Sequence, residues 1–266
     1  MNCKNCKTSL NETSDYCYSC GGKVIRNRLT MRNLFAHFSE TYLNIDNKFL
    51  QTFIDLFKKP EAVIDSYIDG TRKKYVDVIS YFALAITITG LYVFIQRTFY
   101  PDAMDYSMFS PQGQQGQQEM QKEWISLLQD YTSILMMLYV PLYAILARIT
   151  FLGIKKYNYT ELLVVFMYVQ GQLSISTSII TIFIMVFGGD MGLASFILLP
   201  LMIVYSAYCL KRLYNLSINK IILRTLIFLG ILLVLYIIVA AVAIAIFYFT
   251  GGLDAFIEAQ KAAQSS

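Results

Sequence analysis

The chain has 266 residues, of which 56% are hydrophobic and only 15% charged, against roughly 25% charged in soluble domains. That composition excludes an ordinary soluble globule and a disordered chain, and it assigns the molecule to a lipid bilayer. The formal net charge of +4 accompanies no basic groove interleaved with aromatics, so nothing argues for nucleic acid as a partner.

The first element, over residues 1–25, is read from CKNCKTSLNETSDYCYSCGG. Cys3, Cys6, Cys17 and Cys20 form two Cys-x-x-Cys pairs, the spacing of a four-thiolate zinc ribbon. In a reducing compartment such a set reads as one structural Zn²⁺ per chain, because four thiolates close the coordination shell and leave no position for a reacting water. Gly21 and Gly22 let the backbone turn, and Lys4, Lys7, Lys23 and Arg26 stand close enough in sequence to offset the negative charge of the filled site. So short a segment builds no hydrophobic core, so the metal would supply its folding energy. A redox or disulfide pair and accidental spacing stay open as alternatives. Cys209, alone in an apolar run, reads as a small buried side chain.

Residues 29–75 follow as amphipathic interfacial helices. Met31, Leu34, Phe35, Phe38 and Tyr42 recur at helical spacing, as do Phe49, Leu50, Phe53, Ile54 and Phe57. Pro60 suits the first turn of a third short helix carrying Val63, Ile64, Tyr67 and Ile68, with Gly70 as its stop. Such helices lie in the interface plane or pack on the cytosolic ends of the bundle. Arg72, Lys73 and Lys74 at the membrane edge are candidate lipid-headgroup ligands, and equally serve as a topology signal. His37, the only histidine, has no cysteine near it at ligand spacing and reads as a surface residue.

Residues 76–250 contain five apolar runs long enough to cross a hydrocarbon core of roughly 30 Å, at about 76–95, 131–152, 162–187, 191–210 and 225–249. A short tail, 251–266, follows them. The first run begins too deep for a cleavable signal peptide and would act as an uncleaved anchor. Twelve Lys and Arg residues precede it. The loops then alternate: poor after the first run, rich at Arg148, Lys155 and Lys156, empty at 188–190, rich at Lys211, Arg212, Lys220 and Arg224, and poor at the end, where Lys261 stands alone. The positive-inside rule therefore places the N-terminus in the cytosol and the C-terminus outside. The outer loop PQGQQGQQEMQ reads as a solvated tether, with Trp124 after it as an interface anchor.

Within the third run, Gln170, Ser174, Thr177 and Thr181 project onto one helical face. A polar stripe in hydrocarbon should face protein or water. It reads either as hydrogen-bonding glue between helices, helped by Gly171, or as part of a substrate or ion path. Gln172 and Ser176 point elsewhere and would pair with other helices. Pro141 and Pro200 lie inside the second and fourth runs, and no charged residue falls at mid-membrane.

The ribbon, the segment DNKFLQTFIDLFKKPEAVIDSYIDGTRKKYVDVISYF at 46–82 and KKYNYTELLVVFMYVQGQLSI at 155–175 together resemble the bacterial zinc-ribbon membrane proteins of domain-of-unknown-function family 3667. The resemblance implies an integral protein of the bacterial cytoplasmic (inner) membrane and no assigned activity. That family often carries a histidine after Asn-Tyr-x-Glu, where this chain has Leu162, so no histidine role carries over. The five-span core is also similar in shape to Yip1-type proteins. The expectation is an all-α membrane protein of five transmembrane helices, non-enzymatic, whose ribbon docks a cytosolic protein; the alternative is a transporter or channel subunit using the Gln170 face. Homo-oligomer formation is left open. Enzymatic chemistry would need a convergent acid–base or open metal site. The single histidine is poorly placed for one and the four-thiolate shell is closed, which leaves carboxylates at the loop edges as the residues that could converge on one.

Overall fold

The computed structural model describes residues 1–11, 13–22, 24, 45–101, 126–154 and 156–249, and it divides into two compact units, Met1–Asp46 and Asn47–Ser266. The stripe from Met31 to Tyr42 with His37, the Gln-rich loop with Trp124, and the tail 251–266 lie outside the described residues.

The second unit is helical throughout its ordered elements: α1 (Ile45–Lys58, which begins at the division), α2 (Pro60–Ile68), α3 (Val78–Phe99), α4 (Thr132–Thr150), α5 (Tyr159–Val186), α6 (Met191–Tyr214) and α7 (Ile218–Phe249). The last five are long and apolar enough to cross a membrane. Their ends follow local chemistry. Asp77 caps α3 by accepting from Ser80 N at 3.0 Å, and Asn158 with Glu161 forms a reciprocal capping box on α5, which gives the Asn-Tyr-x-Glu segment a local job. Pro60 sits in the first turn of α2, and its end is a Schellman turn in which Gly70 N donates to Tyr67 O and Thr71 N to Ser66 O, with Gly70 at φ +98°. Asn215, at φ +51°, ends α6 in the same left-handed way. The backbone reverses there at once, so α7 starts at Ile218, about two turns ahead of the 225–249 read from hydropathy.

α5 is the axle of the bundle: half of its most apolar window is buried, whereas none of the corresponding window of α7 is. Its densest packing is against α3, and a glycine makes that approach close. A Cβ on Gly171 would stand 3.2 Å from Cδ1 of Tyr81 and 3.6 Å from the Ala85 methyl. Gly171→Val therefore pushes the Tyr81 ring out of its place, at a cost of about 1–3 kcal/mol as in other overpacked cores. The expected readout is a lower melting temperature of the purified protein; an unchanged one would show that α3 and α5 are not held at this distance.

α3 and α5 run side by side but out of step. Tyr81 and Thr89 of α3 meet Gln172 and Ser178 of α5, so at 1.5 Å per residue α5 extends ~14 Å past the start of α3. α2 packs against α5 and α6, and α1 lies beside the α3–α5 contact, with the Phe49 ring 5.8 Å from that of Tyr81. The burial of α1 differs from its hydrophobic stripe. Leu56, Thr52 and Asp55 are buried and Phe49 and Phe53 pack on the core, while Leu50, Ile54 and Phe57 are exposed. Tertiary packing has selected a face one step around the helix, because the polar groups of Thr52 and Asp55 find partners there. Val63 and Ile64 of α2 are fully buried, with Tyr67 and Ile68 packed beside them.

Candidate functional site

The N-terminal unit gathers its four cysteines by repeating one local turn. Lys7 N donates to Cys3 O at 2.9 Å, and Gly21 N to Cys17 O at 2.8 Å. The residue after each pair is left-handed, Lys7 at φ +63° and Gly21 at φ +69°. A glycine takes that conformation without strain; the lysine in the first turn is the feature that sequence reading misses. Gly22 does not share it, and its role is space, since a Cβ there would lie 3.4 Å from the Cys20 sulfur. Among the described residues no strand forms. One antiparallel bridge, Asn2 with Ser9, and the bond from Leu10 N to Met1 O at 2.7 Å close the first turn, so the ribbon expected over 1–25 is built from turns rather than extended hairpins. Its apolar content is Cys3, Leu10 and Cys17 with Val24 against them.

The four Sγ atoms all lie within 4.8 Å of one another. Cys3 and Cys20 sulfurs are 3.7 Å apart, and those of Cys6 and Cys17 3.5 Å. A tetrahedral ion with bonds of about 2.3 Å sets its thiolates about 3.8 Å apart, so the set can hold a metal ion. Two of the thiols are eased toward charge and one is not. The N–H groups of Cys6 and Asn5 lower the Cys3 thiol, and the Thr8 hydroxyl and N–H bring the Cys6 thiol down to about 6. At Cys17 the lowering by the Cys20 N–H is outweighed by burial and the neighbouring cysteines, which push it up to about 11.

In the second unit a ring of hydrogen bonds ties α1 and α2 to the bundle. The last carbonyls of a helix have no intrahelical partner, and on α1 tyrosines of α6 supply them: Tyr205 Oη donates to Leu56 O at 3.1 Å and Tyr208 Oη to Lys58 O at 2.9 Å. Gln172 Nε2 donates to Phe53 O at 3.1 Å while its Oε1 accepts from Tyr81 Oη. Tyr168 Oη donates to Val76 O at 2.8 Å, and Val76 N donates to the Thr52 hydroxyl at 3.0 Å. Tyr75 donates to Asp55 at 2.9 Å, and burial together with that carboxylate pushes its phenol up to about 12. On α2, Asp65 takes Lys156 at 3.2 Å and the Tyr157 hydroxyl at 2.5 Å. Glu61 pairs with the Arg212 guanidinium, which holds its carboxyl below the usual range.

Arg72, Lys73 and Lys74 are all exposed. Arg72 lies over the Tyr67 ring at 4.1 Å and donates to Tyr67 O, and Lys74 lies 5.1 Å from the Tyr75 ring centre. The Gln170 stripe divides. Gln170 lines a cavity among α4, α5, α6 and α7. Ser174 is buried and donates to Met136 Sδ at 3.8 Å, Thr177 donates back to Leu173 O at 2.8 Å, and Thr181 is buried. Gln172, set aside from the stripe, bridges Tyr81 of α3 and Phe53 of α1, and Ser176 bonds back to Gln172 O at 2.7 Å. Cys209 is fully buried in the apolar core. At the opposite end of α3, Arg97 binds Asp130 at 2.5 Å and Ser126 O at 2.7 Å.

Residues 46–90 match the family model described as Protein of unknown function (DUF3667). No curated protein and no solved structure gives a significant match. The matched segment is α1, α2 and the first half of α3, the stretch that carries Thr52, Asp55, Glu61, Asp65 and Tyr81.

Proposed function

We propose that this chain, a member of the DUF3667 family through residues 46–90, is a non-enzymatic integral membrane protein whose N-terminal unit is a zinc-dependent docking module. The observation that carries the reading is the closed set of four sulfur donors within 4.8 Å of one another. A closed thiolate shell is structural, and a small metal-held unit offers a rigid surface from little chain. Lys4 and Lys7 on the first turn are exposed and suit an acidic partner surface. Cys3, Cys6, Cys17 and Cys20 would hold Zn²⁺, with the N-terminus in the cytosol of a bacterial inner membrane and the C-terminus outside. The alternation of Lys and Arg between the spans supports that orientation. A transport path along α5 draws its support from Gln170, since the hydroxyls of Ser174 and Thr177 are engaged within the protein and Thr181 is buried.

Crosslinking in native membranes tests the docking role, comparing the intact chain with one lacking residues 1–23 and verified as inserted. Partners that vanish with the deletion are the expected result. An identical partner set would overturn the docking role and leave the metal unit a local clasp.

A further inference from the structure

α7 packs on α4 and α6 rather than on α5, and where it stands away a cavity of about 400 Å³ remains. That volume falls within the roughly 300–1,000 Å³ of ligand sites. Its walls are side chains such as Phe166, Leu173, Met202, Phe228 and Leu232. From Arg224 to Leu232 along α7 it reaches ~12 Å into the bundle.

The polar side chains on this surface are Tyr143, Gln170, Ser206, Arg224 and Thr225, and the Ser206 hydroxyl is taken up by Met202 O at 2.9 Å. Gln170 lines the cavity partway along α5. Arg224 stands at the rim, where one of its nitrogens donates to Thr150 O and Leu152 O and its guanidinium lies 5.5 Å from the Phe151 ring. Among the described residues no carboxylate lies within ion-pair distance of Arg224, whereas Arg97, Lys156 and Arg212 each have one. A cation at the edge of an apolar slot selects a molecule with an anionic head and a hydrocarbon tail, and the planar guanidinium fork suits a phosphate oxygen pair.

We propose that this cavity holds an acyl chain of an anionic glycerophospholipid from the surrounding bilayer, with the lipid phosphate on Arg224 and the Gln170 amide meeting the ester region or a shorter chain. The occupant is a lipid and not free phosphate, because the wall beyond the rim is mostly hydrocarbon, which an inorganic anion would have to be desolvated to enter.

The test uses the full-length protein in detergent, measuring melting temperature and lipid adducts by native mass spectrometry. Phosphatidylglycerol should raise the melting temperature and survive as an adduct more than phosphatidylcholine of the same chains, and glycerol phosphate should do neither. Arg224→Gln should erase the preference between the two lipids, and Ala207→Phe, which fills the slot, should remove both adducts. A preference that survives Arg224→Gln, or a glycerol phosphate shift equal to that of the lipid, overturns the proposal. Should Ala207→Phe fail to fold, phosphatidylglycerol carrying a photoreactive group in its chain decides on the unaltered protein. Labelling concentrated on the lining segments of α6 and α7 supports the site, and labelling spread evenly over the exposed apolar faces refutes it.

Discussion

The unaltered chain should emerge from purification with about one zinc ion per chain, and Cys17→Ser protein with almost none. The size of the effect follows from geometry and from the poverty of the unit around it. Sulfurs 3.5 and 3.7 Å apart already stand at the edge length of a thiolate tetrahedron, and the apolar cluster beside them amounts to Leu10 and Val24. Metal binding by small domains of this kind supplies about 10–16 kcal/mol of folding free energy, which so few apolar contacts cannot replace. Metal analysis by plasma mass spectrometry, with limited proteolysis of the first residues as a second readout, gives the answer. Chelator treatment should reproduce the serine variant. Unaltered protein that is metal-free and still protease-resistant at its N-terminus would show that the four cysteines serve something other than an ion.

The second large effect belongs to Gln172. This side chain is fully buried and holds two helices at once, accepting from Tyr81 Oη and donating to Phe53 O. Gln172→Leu keeps the volume roughly, strands the buried Tyr81 hydroxyl at about 1–3 kcal/mol, and removes the second hydrogen bond to Phe53 O, which keeps its partner within α1, at about 0.5–1.5 kcal/mol. The expected loss of about 2–4 kcal/mol stands well above the roughly 0.6 kcal/mol average for one interhelical hydrogen bond in a membrane protein. A double-mutant cycle with Tyr81→Phe separates the network from simple packing. Once the tyrosine hydroxyl is gone, the leucine orphans one group fewer, so the pair should cost less than the sum of the single changes. Strict additivity would mean that the two side chains do not act on one another.

The contrast between Gln170 and Gln172 shows how far sequence carries. Hydropathy finds the five spans because crossing length is a property of one segment, and Cys-x-x-Cys spacing finds the cluster because each pair closes within one turn. Helical projection puts Gln170, Ser174, Thr177 and Thr181 on one face, but a face has no identity until its neighbours are known. The structure gives that face a cavity at one position, a methionine sulfur at another and helix backbone at a third. The tyrosines are harder still. In a span they count toward hydropathy, and what decides the role of Tyr205 and Tyr208 is a carbonyl 149 or 150 residues away. Lys7 is invisible for a different reason, since a left-handed lysine leaves no trace in spacing or composition.

The anchoring of α1 and α2 by groups on α5 and α6 has a consequence in time. α1 and α2 leave the ribosome long before their partners exist: Gln172 trails Phe53 by 119 residues and Arg212 trails Glu61 by 151. At about 5–20 residues per second of synthesis, the interval is roughly 6–30 s. For that period the carbonyls at the end of α1 and the carboxylates of Asp65 and Glu61 are without the groups that satisfy them in the finished protein, while α3 is already committed to the membrane. The docking of α1 and α2 is therefore a late, closing event of biogenesis, completed only when α6 arrives.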